Sequence, residues 1–577
     1  MSIYTIADRG ESGFHIVAHQ YADETVRYAA SELQKYLLKS THAAIPYFSD
    51  RCPSQGPEIR IGCHVRGSKE NADGLRDEGF RIFGCGEDIY IIGSTSRGTL
   101  YGVYHFLERF CGFACFTKDV ETIDEHTTLQ IDLDEIRIEP TFEFRDAYFR
   151  FAFDGDFCAK NRLNSSLGDI SVAKGGRMKW FNFHHSFNDL VTDTVYFEEH
   201  PEYFSEVDGV RIPNSQLCLT NPEVAAIAEQ TLRRWIRENP ECHVFSVAQN
   251  DNQKRCTCKA CMALEEQEGS PAGPIIHFVN RMADAIAKDY PHVLLHTFAY
   301  HYSLPAPRHV VARDNVIVRL CSISCRFDRP FAELAAQGSA EESEFVNALY
   351  DWQSHASRLY VWDYAVNFRN YLQPMIHPHV LQANIRFFRE LGVLGVLEQG
   401  NFAYGGGAAM DDLKSYLIGR LLWNPDADVD WEIGRYCRAV FGKAAGEVME
   451  RYVVRMTKAC ESAPLSIYQY PNAEYITDEL VEESEHLFAE ALRLADNDTY
   501  RQRVAREYLS VRFLRITRLP MDAPGRDDLI DALFDDVKRF GITEIRERRS
   551  LAASKKVMKE ERYVAKRDGY SLYYIMQ

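Results

Sequence analysis

Apolar positions change their period twice along the chain. Up to about residue 138, helical and strand periods alternate. Val26, Ala30, Leu33 and Leu37 fall on one helical face, as do Leu100, Tyr104, Leu107 and Cys111, with Gly112 as the stop of the second helix. Ile59-Arg60-Ile61-Gly62 and Ile89-Tyr90-Ile91-Ile92 read as strands. The expectation for residues 1–138 is a small α/β accessory domain.

From Thr141 to Asn424 the pattern becomes a series of short β-rich runs, each followed by polar residues and then a helical stretch: FEFRDAYF, KWFNFHHSF, QLCLTNPEV, HVFSVAQND, VLLHTFAY, VIVRLCSIS, RLYVWDY and VLGVLEQGN. Eight such alternations predict an α/β chain with a (β/α)8 TIM-like barrel over residues 139–430. In most runs the apolar residues come first and the polar ones last: His184-His185, Asn250-Asp251, Tyr300-His301, Asp363 and Glu398-Gln399-Gly400-Asn401. The carboxyl ends of barrel strands carry the active site, so these residues are expected to meet at one mouth. Gly405-Gly406-Gly407 lacks the context of a phosphate-binding loop and reads as a flexible loop.

Past Pro425 the strand signal ends. Leu480, Ser484, Leu487, Ala491 and Ala495 recur at helical spacing, and residues 431–577 are expected to be an α-helical C-terminal domain, its charged tail Arg546 to Arg567 a solvated helix face. Charge then narrows the function: 66 basic against 84 acidic residues leave a net −18, which disfavours a nucleic-acid partner. No run reaches the ~18 apolar residues of a membrane span, and the first residues lack the apolar core of a signal peptide, so the expected location is cytoplasmic. Fifteen cysteines are an odd set, expected as thiols in a reducing compartment. Nothing in these patterns speaks to oligomeric state.

Two constellations carry chemistry. In Cys256-x-Cys258-x-x-Cys261, three thiols offer most of a tetrahedral metal site, but a structural zinc needs a fourth ligand, which Cys242, His243, Cys321 or Cys325 would have to supply. A clasp of buried thiols is the leading expectation, structural zinc the alternative, and no other cofactor is called for. A nucleophilic cysteine would need a base that nothing in the sequence places beside it. The second constellation is acidic: Asp251, Asp363 and Glu398 end three different runs, and glycosidic cleavage needs a proton donor plus a group that stabilises the oxocarbenium-like centre. Around them Trp180, Tyr300, Trp362, Tyr364 and Phe402 offer flat faces to a sugar ring, while His185, Gln249, Asn250, Asn367 and Asn401 offer hydrogen bonds to hydroxyls. The expected partner is an oligosaccharide or small glycoside.

QLCLTNPEV, SVAQNDN with CTCKAC, EGSPAGPIIHFVN, VWDYAVNFRNYLQP and VLEQGNF resemble the group of barrel domains that includes glycoside hydrolase family 163, endo-β-N-acetylglucosaminidases. GTLYGVYHFLERFCGFACF is similar to the domain preceding the barrel in α-glucuronidases and β-hexosaminidases. The resemblance implies a retaining, substrate-assisted cleavage of β-linked N-acetylglucosaminides. It implies Glu398 as general acid/base and Asp251 with Asn250 as the pair that orients the acetamido group, or the reverse. His185, Gln249, Tyr300, Trp362, Asp363, Asn367 and Asn401 are the expected sugar-binding residues. An α-glucuronidase or another glycosidase is the rival within enzymes, and a non-catalytic carbohydrate-binding or zinc-stabilised interaction protein the rival outside them.

Overall fold

A computed structural model describes residues 2–66, 72 and 74–560. The first part of the chain builds a six-stranded mixed sheet in the spatial order Ile136–Ile138, Phe80–Cys85, Asp88–Gly93, Glu58–Ile61, His15–Ala18, Tyr47–Ser49. Helices Glu24–Thr41 and Ser96–Cys111 pack on each other and on this sheet. Asp23 and Thr95 start them by accepting the Val26 and Gly98 N–H groups. Gly112 ends the second in the left-handed region, φ 64°.

The chain then enters a parallel sheet of seven strands: β1 (Phe144–Tyr148), β2 (Trp180–Phe181), β3 (Val244–Ser246), β4 (Leu294–Ala299), β5 (Val316–Cys321), β6 (Arg358–Tyr364) and β7 (Gly395–Gln399). Their order is β1-β7-β6-β5-β4-β3-β2, so the first strand lies beside the last, as barrel closure requires. A flat sheet would hold β2 and β6 about 19 Å apart at ~4.8 Å per strand. Instead the Trp180 and Tyr360 rings lie 6.2 Å apart, and Phe144 and Trp180, on the two edge strands, 5.3 Å apart. The sheet is curled until its edges touch through side chains, without a hydrogen-bonded seam between β1 and β2 among the described residues.

One of the eight expected strands does not form. QLCLTNPEV makes only an isolated bridge, Leu217 to Phe204, and β2 pairs directly with β3. The Gln216 amide takes on the pairing that a backbone would have supplied: its Nε2 donates to the carbonyls of Asn250 and Asn252, each at 2.9 Å, and its Oε1 accepts from the Asn250 N–H at 2.7 Å. Cys218, two residues on, is turned into a cluster of cysteines.

Beyond β7 the chain is helical through Leu551–Glu560, without a strand among the described residues; residues 561–567 of the charged tail lie outside them. Gly405-Gly406-Gly407 is not a free loop but a packed joint. A Cβ on Gly405 would sit 2.1 Å from the Gly541 carbonyl, and one on Gly407, at φ 95°, 2.4 Å from the Ile542 side chain. Only glycines let residues 541–543 come this close to the barrel mouth.

Candidate active site

A cavity of about 470 Å³ opens at the carboxyl ends of the parallel strands. That volume falls in the ~300–1,000 Å³ range of small-molecule sites. Every strand of the curled sheet sends something to it: Tyr148 ends β1, His184 and His185 follow β2, Asp251 follows β3, Phe298 lies on β4 and Tyr300 follows it, Cys321 ends β5, Trp362 and Tyr364 lie on β6, and Gln399 ends β7. Phe402 and Tyr404 rise beyond β7. Trp362 is fixed by its indole N–H, which donates to Gln399 Oε1 at 2.7 Å. Beneath the floor lies Arg319, fully buried, with the rings of Trp180 and Phe183 4.4 and 4.9 Å from its guanidinium carbon.

Asp251 stands at the cavity wall with its side chain about one-third exposed (35%). The Tyr300 hydroxyl donates to its Oδ1 at 3.2 Å, and His185 Nε2 stands 3.7 Å from the same oxygen. His185 Nδ1 lies 2.6 Å from the Gln249 carbonyl, which only accepts, so Nδ1 carries a proton and Nε2 is the atom turned to Asp251. Gln249 is buried under this arrangement, donating to the Tyr300 carbonyl and accepting from Ser303 Oγ. It holds Tyr300 and His185 and does not line the cavity. The Asn250 amide is likewise committed to the framework, donating to the Ser215 carbonyl at 2.7 Å and accepting from the Asn188 N–H at 3.1 Å.

Glu398 is not in the cavity. Side chains alternate along a strand, and in β7 it is Leu397 that packs inside the barrel and Gln399 that reaches the mouth. Glu398 therefore points with Val396 to the outer face, fully buried, with no hydrogen-bond partner for either carboxyl oxygen among the described residues. Its neighbour across the ladder is Asp363, also buried and absent from the cavity, which accepts from Ser322 Oγ. Burial, with the Asp363 charge adding to it, pushes the Glu398 carboxyl well above the usual range, and burial raises Asp363 too. Asn367 and Asn401 are buried joints: Asn367 donates to the Gln469 carbonyl at 2.9 Å and Asn401 accepts the Ala403 N–H at 2.9 Å. A folded-state pKa raised above the unfolded value weakens stability as pH rises, because the native chain must keep a proton the unfolded chain has released. Glu398→Gln is therefore expected to gain stability over wild type with each step from pH 5 to 8, by up to about 1.4 kcal/mol per unit, with activity changed less than a few-fold. Urea denaturation at several pH values, paired with an assay, checks both parts.

The cavity is completed from a region that sequence periodicity marks as helix. Tyr468, Glu544, Glu547 and Arg548 line its far side. They are held there by Phe368 N–H to Ile467 O at 2.8 Å, Tyr371 N–H to Ile545 O at 2.9 Å, and Glu547 N–H to Phe368 O at 3.1 Å. Burial pushes the Glu547 carboxyl up; Arg548 works against this, and Glu544 and Asp251 work with it. Two of the three carboxyl groups at the site thus stand in different settings: Asp251, held by Tyr300, and Glu547, raised toward the protonated form. The only sequence signal for Glu547 was the mixed-charge stretch GITEIRERRS, in which two glutamates stand among three arginines and no apolar heptad runs.

The three cysteines after Asp251 find their fourth partner in Cys218, from the run that fails to become a strand. Cys242, His243, Cys321 and Cys325 are not part of this cluster.

No helix among the described residues is long and apolar enough to cross a membrane. Among solved structures, the chain is similar to a family GH115 4-O-methyl-α-glucuronidase with specificity for decorated arabinogalactans, at TM-score 0.61 and 12% identity over 99% of this chain and 81% of that one. Weaker likenesses are to a Flavobacterium johnsoniae chitobiase, at TM-score 0.46 and 11% identity over 97% of both chains, and to a Streptomyces plicatus β-hexosaminidase, at TM-score 0.42 and 13% identity over 77% of this chain and 92% of that one. At these identities the likeness to the GH115 structure is one of fold. No curated protein matches the sequence. Residues 115–454, more than half of the chain, match the model described as a domain of unknown function, DUF4838, and the chain belongs to that family.

Proposed function

We propose that this chain is a glycoside hydrolase that cleaves β-linked N-acetylhexosaminides with help from the substrate's own acetamido group. One observation carries the reading: an aromatic-walled cavity at the carboxyl ends of a curled parallel sheet brings the carboxyl groups of Asp251 and Glu547 to the same space. Glu547, with its raised pKa, is the proton donor to the leaving oxygen. Asp251, positioned by the Tyr300 hydroxyl, accepts the acetamido N–H and turns its oxygen toward the anomeric carbon. Glu547 thus takes the place expected of Glu398, and Tyr300 that of Asn250. Beside Asp251, Phe298, Tyr300 and Cys321 form a small apolar cluster that Ile323 and Trp362 extend, a surface suited to the acetamido methyl. The resemblance to endo-acting N-acetylglucosaminidases agrees with this chemistry.

Charge argues against a uronic acid as the bound sugar. Beside the proton donor Glu547, the carboxyl groups of Asp251 and Glu544 line the cavity against Arg548, while Arg319 is walled off by aromatic rings below the floor. A uronate would add a further negative group to that field, a neutral N-acetyl sugar would not. A panel of nitrophenyl glycosides tests the assignment. Release from N-acetyl-β-glucosaminides or N-acetyl-β-galactosaminides, with little from glucuronides, is expected; cleavage of glucuronides alone would overturn it.

A further inference from the structure

We propose that Cys218, Cys256, Cys258 and Cys261 hold a zinc ion in a closed all-sulfur site that fastens the segment carrying Asp251. The four sulfurs lie within 4.8 Å of one another and all four side chains are buried. Cys218 Sγ stands 3.7 Å from Cys258 Sγ and 3.9 Å from Cys261 Sγ. Zn–S bonds of ~2.3 Å in a tetrahedron set sulfurs about 3.8 Å apart. A disulfide would need about 2.05 Å. The spacing is that of ligands around a common centre.

Polar groups surround the sulfurs. The Glu206 N–H and Arg211 Nη1 donate to Cys256 Sγ at 3.4 and 3.5 Å, and Thr220 Oγ1 lies 3.2 Å from Cys261 Sγ. Four thiolates on a divalent ion leave two negative charges, which N–H donors and a guanidinium compensate. A soft, four-sulfur tetrahedron without other donors selects zinc over harder cations, and four protein ligands leave no open position, so the ion is structural. Its place in the fold gives it a purpose: it ties the chain just before helix Pro222–Glu238 to the loop leaving β3, the two stretches that Gln216 joins in place of a strand. The metal assignment stands whichever sugar the cavity takes.

Metal analysis of the full-length protein after exhaustive dialysis is expected to find one zinc per chain. Titration of the cysteines with a mercurial should release it to a chromogenic chelator. Cobalt in its place should show the charge-transfer and d–d bands of a tetrahedral thiolate site. Cys218→Ser should lose the metal, and Cys242→Ser, outside the cluster, should keep it. The proposal is overturned if reduced wild type offered zinc chloride binds none, if the mass of the protein as purified, before reduction, shows a disulfide among these four cysteines, if iron occupies the site at full stoichiometry, or if Cys218→Ser retains zinc undiminished.

Discussion

Glu547→Gln is expected to lower kcat/KM on a glycoside with a sugar leaving group by about 10²- to 10⁴-fold, the usual contribution of a positioned proton donor. Glutamine keeps the shape of the side chain, and the Glu547 N–H that anchors the loop to Phe368 O is unaffected. The loss should be much smaller with a nitrophenyl aglycone, which departs without a proton, and that contrast separates a proton donor from a merely structural group. Asp251→Asn should lose a comparable factor with either leaving group, because orienting the nucleophile is needed whatever departs. The pH profile gives an independent reading. A donor must be protonated, and burial with the charges of Glu544 and Asp251 holds Glu547 above the ordinary carboxylate range, so it sets the alkaline limb of kcat/KM. Arg548 opposes that shift. Arg548→Leu removes a cation that favours the ionised form, so the alkaline limb should move to higher pH. A limb that stayed put or moved down would remove Glu547 from the role.

The sequence shows strand positions better than it shows strand faces or partners. Seven of the eight runs form parallel strands because each combines apolar residues with a following turn and helix. QLCLTNPEV has the same local alternation, yet Gln216 spends its amide on the neighbouring loop and Cys218 its thiol on the cysteine cluster. Alternation cannot reveal such competition, which depends on residues 34 to 43 positions away. Glu398 failed for a different reason. Its place near a strand end was legible, but a one-residue step along a pleated strand reverses the face, and the mouth received Gln399 instead. Asp251, His185, Tyr300 and Trp362 reach the cavity because the loops and strand ends that bear them open there. Glu547 was illegible because 147 residues of mostly helical chain, 400–546, separate it from β7, and the glycine joint at 405–407 and the hydrogen bonds to Phe368 and Tyr371 return it to the barrel.

Glu78→Gln is expected to destabilise the fold by about 3–5 kcal/mol at neutral pH, the cost of leaving a buried charge without its partner. Glu78 sits at the end of the loop before strand Phe80–Cys85, and its two carboxyl oxygens pair with Arg97, from helix Ser96–Cys111, and with Arg145, on β1. Arg145 is fully buried; its remaining donors are fixed on the carbonyls of Arg162 and Phe142, and the Trp423 ring lies 5.3 Å from its guanidinium carbon. Its charge therefore has nowhere to go when Glu78 becomes neutral. Arg97 at the same time holds the carbonyls of Gly175 and Gly176, so one carboxylate ties the first sheet both to β1 and to the segment leading into β2. Despite burial, the two guanidinium groups hold the Glu78 carboxyl down at about 2. A depressed pKa contributes stability that is complete above the unfolded value of ~4.3 and fades as pH falls toward the folded value, an amount of about 3 kcal/mol for this shift. The gap between wild type and Glu78→Gln should accordingly be constant from pH 8 to 6 and shrink steadily below pH 4. Urea midpoints of the two proteins across that range measure it, and a gap that persisted unchanged at the acid end would show that the carboxylate's charge is not what joins the first sheet to the barrel.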